Sequence, residues 1–458
     1  MTPLQWSAHS GIHKASLTLP RFAALIALAA TLAVMAGYSA DNTPAQPLTH
    51  LRRIASPALP GSSVPNLFAA DGRIFMSWVE PATPTPDPGQ KARYAVKLAT
   101  LDLNAHGTIA TGTEPRWSEP RTIVVSDKLQ VNWATFPSVI QLPDGTLAAH
   151  WLIDNGLVPG GYDISVHTAL SADDGHTWSA DVIPHQDSAK ADHAFVSLFP
   201  HPENQLGIVW LDGREFARPG GNSKDDRHSH GMHLRFTTTN AAGGLGEDQL
   251  LNGTTCTCCQ TDVAMTSDGP IIVYRHRTEN EVRDIHIIRY VDHAWTQSRP
   301  VHNDGWTIAA CPVNGPAITA MNRQVAVAWF TAADGIPLIQ VAFSTDAGAT
   351  FGSPVRVDDG LPAGRVDIEL LPDGSALVSW LERMLDGSAQ IRVRRVEPHS
   401  NPGKQPIAGS AMTITSSSTM RTSGFPQMVR ASDHVVFAWT VPGKPSEIHS
   451  AVAEISRK

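Results

Sequence analysis

The chain has 458 residues, and 35 lysine and arginine residues against 43 aspartate and glutamate residues leave a net charge of −8. This balance excludes a basic stripe of the kind that binds nucleic-acid phosphates. Glycine (35 residues), proline (34) and tryptophan (12) are abundant, and continuous helical periodicity is scarce. These features predict an all-β protein with many turns.

The first 40 residues predict an export signal. Lys14 and Arg21 precede an uncharged apolar run over 22–37, and small residues follow that run. This is the layout of a signal peptide, with an uncleaved N-terminal anchor as the alternative. Tyr38 stands where a lipidated cysteine would have to be, so no lipid anchor is expected. We therefore expect an exported protein, periplasmic or secreted, that contacts a membrane only through an uncleaved N-terminal segment.

An apolar strand that ends in an aromatic residue recurs after a predicted linker at 41–50. Successive copies lie 51 to 73 residues apart, and Asp-Gly turns, a strong hairpin signal, precede several of them. The aromatic residues are Trp78, Trp151, Trp210, Tyr274, Trp329, Trp380 and Trp439. Further short strands follow each copy, so residues 51–458 are expected to form one β-propeller of four-stranded antiparallel blades. Seven blades are favoured over six, with 51–56 supplying the last outer strand and closing the ring.

Two loops between third and fourth strands share the pattern S-x-D-x-G-x-T-W/F. Their patterned residues are Ser171, Asp173, Gly175, Trp178, Ser344, Asp346, Gly348 and Phe351. These loops resemble the Asp boxes of the sialidase (BNR-repeat) superfamily. The resemblance implies a divergent, sialidase-like propeller in which the boxes are structural and lie on the face away from the site.

Strand direction alternates within a blade, so connections between blades and loops between second and third strands open on one face. This face is predicted to carry Cys256, Cys258 and Cys259 on one blade and Cys311 on the next. The candidate substrate-binding residues on the same face are Arg214, Arg275, Arg365, Arg383, Asp212, Asp367, Glu382 and His193. So many convergent polar groups predict a binding site at the axial mouth.

The resemblance implies one function for this mouth. Sialidases hold the sugar carboxylate with arginines from different blades, use a tyrosine activated by a glutamate as the nucleophile, and use an aspartate as acid and base. The leading expectation is therefore an extracytoplasmic, sialidase-like carbohydrate-active protein, such as an exo-glycosidase that acts on an acidic glycan. Tyr162 and Tyr274 lie outside the last blades, where the nucleophile is expected, and Tyr274 occupies a core position. No catalytic residue is assigned.

The cysteines support a different function. Four thiolates, with His193 or one of the loop histidines His228, His230 and His233, could bind a soft metal ion such as copper or zinc. An exported chain with an even number of cysteines also favours disulfides, and free thiols are a third state. The alternatives to glycan chemistry are thus a metal-binding or redox propeller, and a non-catalytic scaffold for a ligand or protein.

Overall fold

The computed structural model describes residues 46–83, 91–102, 115–158, 161–217, 231–398 and 407–457. The predicted export signal, His228 and His230 lie outside these residues. The described residues form strands and four short 3₁₀ helices, at Pro202–Asn204, Arg214–Ala217, Ala333–Gly335 and Arg421–Ser423. None of these helices is long and apolar enough to span a membrane.

Seven antiparallel sheets form the blades of a β-propeller, as predicted. The first strand of the described residues, β1 (Leu48–Ile54), belongs to the last blade, and the first four blades follow in chain order. Blade 1 contains β2 (Ser63–Ala70), β3 (Arg73–Pro81), β4 (Tyr94–Asp102) and β5 (Arg121–Ser126); blade 2 contains β6 (Ser138–Gln141), β7 (Leu147–Val158) and β8 (Gly161–Ser171); blade 3 contains β9 (His193–His201), β10 (Gln205–Asp212), β11 (Met232–Thr239) and β12 (Gln249–Thr255); blade 4 contains β13 (Asp262–Thr266), β14 (Gly269–Arg275), β15 (Ile285–Val291), β16 (Ala294–Trp295) and β17 (Arg299–Pro300). In blade 2 the predicted fourth strand is reduced to one bridge between Thr168 and Val182.

The last three blades complete the ring. Blade 5 contains β18 (Ala317–Met321), β19 (Gln324–Thr331), β20 (Leu338–Ser344) and β21 (Val355–Arg356); blade 6 contains β22 (Pro362–Leu370), β23 (Ala376–Arg383), β24 (Ala389–Glu397) and β25 (Ile407–Ser417); blade 7 contains β26 (Gln427–Ala431), β27 (His434–Val441) and β28 (Glu447–Ile455). β1 pairs antiparallel with β28, from Leu48 opposite Ile455 to Ile54 opposite Ser450. The N-terminal strand therefore closes the ring, as predicted. It begins at Leu48 rather than at 51, because Leu48 packs in the core between blades 6 and 7.

The recurring aromatic residues form the core between blades. The five tryptophans of blades 1, 3, 5, 6 and 7 are at most 1% exposed, and Tyr274 of blade 4 is fully buried. Burying a side chain of this size contributes about 3 kcal/mol, so the repeated aromatic position stabilises each contact between sheets. This confirms their predicted packing role.

The two S-x-D-x-G-x-T-W/F loops fold in the same way. Asp346 accepts hydrogen bonds from the Thr350 amide (2.8 Å), the Thr350 hydroxyl (2.7 Å) and the Ser344 hydroxyl (2.7 Å). Asp173 makes the equivalent contacts in blade 2. These bonds lower the pKa of both carboxyls to about 2, although partial burial of Asp346 opposes the shift. Each loop is thus a structural turn held by one carboxylate.

Replacing Asp346 tests this role. Asp346→Ala removes three hydrogen bonds from a partly exposed loop and should lower the free energy of unfolding by about 1 kcal/mol. Urea denaturation measures the change. Asp127→Ala is the matched control, because exposed Asp127 faces Lys91 only at 4.0 Å and such pairs contribute little. Equal effects of the two substitutions would contradict the structural role.

Candidate functional site at the axial mouth

The innermost strands of all seven blades surround an axial cavity of about 490 Å³. Connections between blades and loops between second and third strands meet at one end of this cavity, as predicted. Gln260 crosses that end: its amide nitrogen donates to the Ala134 carbonyl at 2.7 Å, and its amide oxygen accepts from the Gly315 amide at 3.2 Å. The mouth is therefore partly roofed by side chains that join blades.

Arg275 is one of these joining side chains. It ends β14, is 1% exposed, and lies with its guanidinium over the Trp306 ring at 4.9 Å. Its nitrogens donate to the main-chain carbonyls of Asn314 (2.9 and 3.0 Å), Phe330 (2.7 Å) and Arg283 (2.6 Å). Because the planar fork is already saturated by carbonyls, Arg275 offers no bidentate face to a ligand carboxylate. Sequence alone gave no sign of these carbonyl partners.

Arg365 also forms hydrogen bonds within the protein. Its guanidinium donates to the Ser423 hydroxyl (2.5 Å) and to the carbonyls of Gly424 (2.8 Å) and Met420 (3.0 Å). Burial, together with the charge of Arg383, lowers the pKa of Arg365 to about 10. The side chain thus ties blade 6 to the connection that precedes blade 7.

Arg214 and His193 belong to a buried ionic cluster on blade 3. Arg214 contacts Asp212 (2.7 and 2.8 Å), Asp248 (2.9 Å) and Asp187 (3.0 Å). His193 uses both ring nitrogens, one on the Ile164 carbonyl at 2.9 Å and one on the Asp187 carboxylate at 3.2 Å. It is therefore not available as a ligand beside the cysteines.

Three side chains of the same cluster are close enough together to be considered as metal ligands. Ligand atoms of His185, Asp187 and His193 lie within 4.8 Å of one another, and the two imidazoles stack at 3.8 Å. The Arg214 guanidinium, however, contacts the same Asp187 oxygen as the histidines. A fixed positive charge at that distance opposes binding of a cation. The cluster is accordingly interpreted as an internal ion-pair network.

Asp212 and Glu382 have a structural partner that sequence reasoning missed. Three blades pair the core tryptophan with the acid two residues later: Trp78 with Glu80, Trp210 with Asp212, and Trp380 with Glu382. In each pair the buried indole N–H donates to the carboxylate. The repeated W-x-D/E spacing was visible in the sequence and would have revealed this role, because a buried indole needs an acceptor.

One part of the mouth is not used internally. Arg383 and Arg421 are exposed, and neither guanidinium has a hydrogen-bond or ion-pair partner within the part of the chain that the structure describes. The Arg421 guanidinium lies 5.9 Å from the ring centre of half-buried Trp133, and Trp133 stacks on Phe425 at 5.8 Å. Arg365 lies on the same indole at 5.3 Å and is electrostatically coupled to Arg383. We call Trp133, Arg383 and Arg421 the mouth patch.

Three carboxyl groups line the axial cavity. Asp262 accepts the Ile318 amide at 2.8 Å, Asp367 accepts the Met428 amide at 2.6 Å, and Glu369 accepts the Arg430 amide at 3.1 Å. Each bond joins an innermost strand to the next one. Burial raises the pKa of Asp262 and of Glu369 to about 7 and that of Asp367 well above its usual range. Asp367 thus lies inside the cavity rather than on the rim.

The sulfurs of Cys256, Cys258 and Cys259 lie close together, and Cys311 lies beside Thr257. Cys256 and Cys259 are buried, Cys258 is partly exposed, and Cys311 of the next connection is exposed; none of the four is paired in a disulfide in this structure. The Cys256 sulfur lies 3.2 Å from that of Cys259 and 3.7 Å from that of Cys258. The Arg283 guanidinium donates to Cys256 at 3.2 Å.

The thiols differ in acidity. Burial disfavours the Cys256 thiolate, but hydrogen bonds from the two neighbouring thiols and the charge of Arg283 outweigh it and hold its pKa well below the usual range. A hydrogen bond from Cys258 lowers the pKa of Cys311 to about 6. The pKa of Cys259 is raised, first by burial. The cluster therefore carries negative charge beside a buried arginine.

Tyr274 is excluded as a nucleophile. Its hydroxyl forms a hydrogen bond with the Ser298 hydroxyl at 2.5 Å, and burial raises its pKa. A nucleophilic tyrosine requires the opposite environment. Tyr162 is half exposed.

No protein-family model and no curated protein matches this chain. Among solved structures, the chain is similar to a protein of unknown function from Dyadobacter fermentans, with 15% identity, coverage of 89% of this chain and 99% of that chain, and a TM-score of 0.47. It is also similar to a leech intramolecular trans-sialidase complexed with 2,7-anhydro-Neu5Ac, with 12% identity, coverage of 90% of this chain and 93% of that chain, and a TM-score of 0.46. The polysaccharide lyase Uly1 is similar with 11% identity, coverage of 86% of this chain and 90% of that chain, and a TM-score of 0.46. The solved structures similar to this divergent chain thus include sialidases and polysaccharide lyases. At these identities the likeness concerns the propeller fold.

The raised pKa of Glu369 predicts how stability depends on pH. The folded protein retains this proton up to about pH 7, whereas an unfolded glutamate releases it near pH 4.5. Its contribution to folding therefore becomes less favourable as pH rises between these values. Glu369→Gln keeps an acceptor for the Arg430 amide and removes the titration, so the variant should gain about 3 kcal/mol over wild type at pH 8 and less than about 1 kcal/mol at pH 5.

Urea denaturation at the two pH values measures this difference. Glu119→Gln is the control, because Glu119 is exposed. A stability difference between Glu369→Gln and wild type that is equal at pH 5 and pH 8 would show that Glu369 titrates normally.

Proposed function

We propose that this protein is an exported, sialidase-like carbohydrate-active propeller that binds an acidic glycan at the mouth patch. The observation that carries the proposal is exposed Arg421 beside the half-buried indole of Trp133, with a second exposed arginine, Arg383, close enough to Arg365 to lower its pKa. A guanidinium pairs with a carboxylate through two parallel hydrogen bonds, and an indole face packs against the apolar face of a sugar ring. Together these groups match the two faces of an acidic sugar.

The charge distribution around the patch supports the same ligand class. Buried Arg365 lies beneath Trp133 and contributes a third positive charge, while its donors remain on main-chain carbonyls. The acidic pairs Asp212 and Glu382 are buried against tryptophans and do not compete for the exposed guanidiniums. An anionic ligand is therefore favoured at the rim.

Binding assays with matched ligands test the proposal. In calorimetry, 3′-sialyllactose and a glucuronate-containing oligosaccharide should bind wild type, and Arg383→Ala/Arg421→Ala should weaken both by about 10- to 100-fold, because charged hydrogen bonds contribute about 1.5–3 kcal/mol. Trp133→Ala should weaken acidic and neutral sugars alike. Arg52→Ala, which changes an exposed arginine on β1, is the matched control.

The outcomes of these assays discriminate further. Wild-type protein that binds no acidic glycan at millimolar concentration would refute the proposal, as would equal binding by the double variant. Release of the fluorophore from a fluorogenic sialoside would identify a glycosidase. Binding without release would identify a glycan-binding scaffold.

A further inference from the structure

The cysteine cluster is not used by the proposed glycan site. Three sulfur atoms, of Cys256, Cys258 and Cys259, lie within 4.8 Å of one another. A tetrahedral ion bound at about 2.3 Å would place its sulfur ligands about 3.8 Å apart. The observed separations of 3.2 and 3.7 Å from Cys256 are close to that spacing. The sulfurs are thus already arranged around a common centre.

A fourth donor comes from the neighbouring blade. Cys311 precedes β18 of the next blade, and its sulfur lies 3.7 Å from the hydroxyl of Thr257, which stands between Cys256 and Cys258 in the chain. Cys311 is exposed, whereas Cys256 and Cys259 are buried. The cluster therefore has a solvent-facing side through which an ion can enter and a closed side that excludes water.

The donors and their surroundings define the ion. All four donors are sulfur, and soft thiolates select copper(I) and zinc over magnesium and calcium. The Arg283 guanidinium lies 3.2 Å from the Cys256 sulfur and is itself held by Glu281 at 2.7 Å. Its charge offsets part of the negative charge of a thiolate complex. We propose that Cys256, Cys258 and Cys259 bind one copper(I) or zinc ion, with Cys311 as the fourth ligand.

Metal titration of the full protein tests the site without any glycan. Protein kept under anaerobic conditions is titrated with copper(I) or with zinc against a chromophoric chelator, and the bound metal is counted by mass spectrometry. One ion should bind per chain. Loss of an outer partner of a metal site costs about 10- to 100-fold in affinity, so Cys256→Ser/Cys259→Ser should lose more than this and Cys311→Ser about 10-fold. The tighter of the two metals identifies the ion.

Thr254→Ala is the control, because this exposed residue lies beside the cluster and supplies no sulfur. X-ray absorption of wild type is the readout that does not depend on variants, and it should give three or four sulfur neighbours at about 2.3 Å. Oxygen or nitrogen neighbours only, full binding by the double variant, no binding of either metal, or all four cysteines in disulfides would each overturn the proposal. The metal titration contains no sugar, so its result does not depend on whether the glycan-binding assays succeed.

Discussion

The fold depends on how the propeller satisfies the inner edges of its innermost strands. These edges face the axis without a pairing strand, and buried main-chain groups there need hydrogen-bond partners. Carboxyl oxygens of Asp262, Asp367 and Glu369 accept hydrogen bonds from main-chain amides of the following blade. Guanidiniums of Arg275 and Arg365 donate to carbonyls of neighbouring connections. Polar side chains near the axis therefore join blades, and the burial that this requires raises the carboxyl pKa values.

This constraint divides the charged residues at the mouth into two classes. Joining residues form hydrogen bonds between blades, and binding residues remain free to contact a ligand. A charged side chain whose donors are saturated by carbonyls would leave those carbonyls unsatisfied if it turned to a ligand, at a cost of about 1–3 kcal/mol for each buried group. Arg275 and Arg365 belong to this class. Arg214 is held instead by the carboxylates of Asp212, Asp248 and Asp187. Arg383 and Arg421 do not belong to this class, and neither do the thiols of the cysteine cluster. The two proposed activities rest on these uncommitted groups, which lie on different blades.

The architecture could be predicted from the sequence because each blade repeats the same pattern of strands, turns and core aromatic residues. Strand spacing, Asp-Gly turns and the recurring core aromatic residues indicated seven blades and the closure of the ring by the N-terminal strand. The roles of individual polar residues were harder to predict. A sequence pattern shows which face of the propeller a side chain lies on, but it does not show whether its hydrogen-bond donors are already bonded to other groups of the protein. Arg275 was predicted to bind the substrate, but its guanidinium instead joins two blades through main-chain carbonyls. Only the W-x-D/E spacing of Asp212 and Glu382 offered a readable signal of an internal role.

The most direct measurement is a crystal structure of the protein grown with 3′-sialyllactose. The ligand carboxylate is expected within hydrogen-bonding distance of Arg383 or Arg421, with the sugar ring against Trp133. Arg275 and Arg365 should keep their bonds to the main-chain carbonyls that they contact now. A ligand carboxylate held instead by Arg275 or Arg365, with those carbonyl bonds broken, would contradict the division between joining and binding residues.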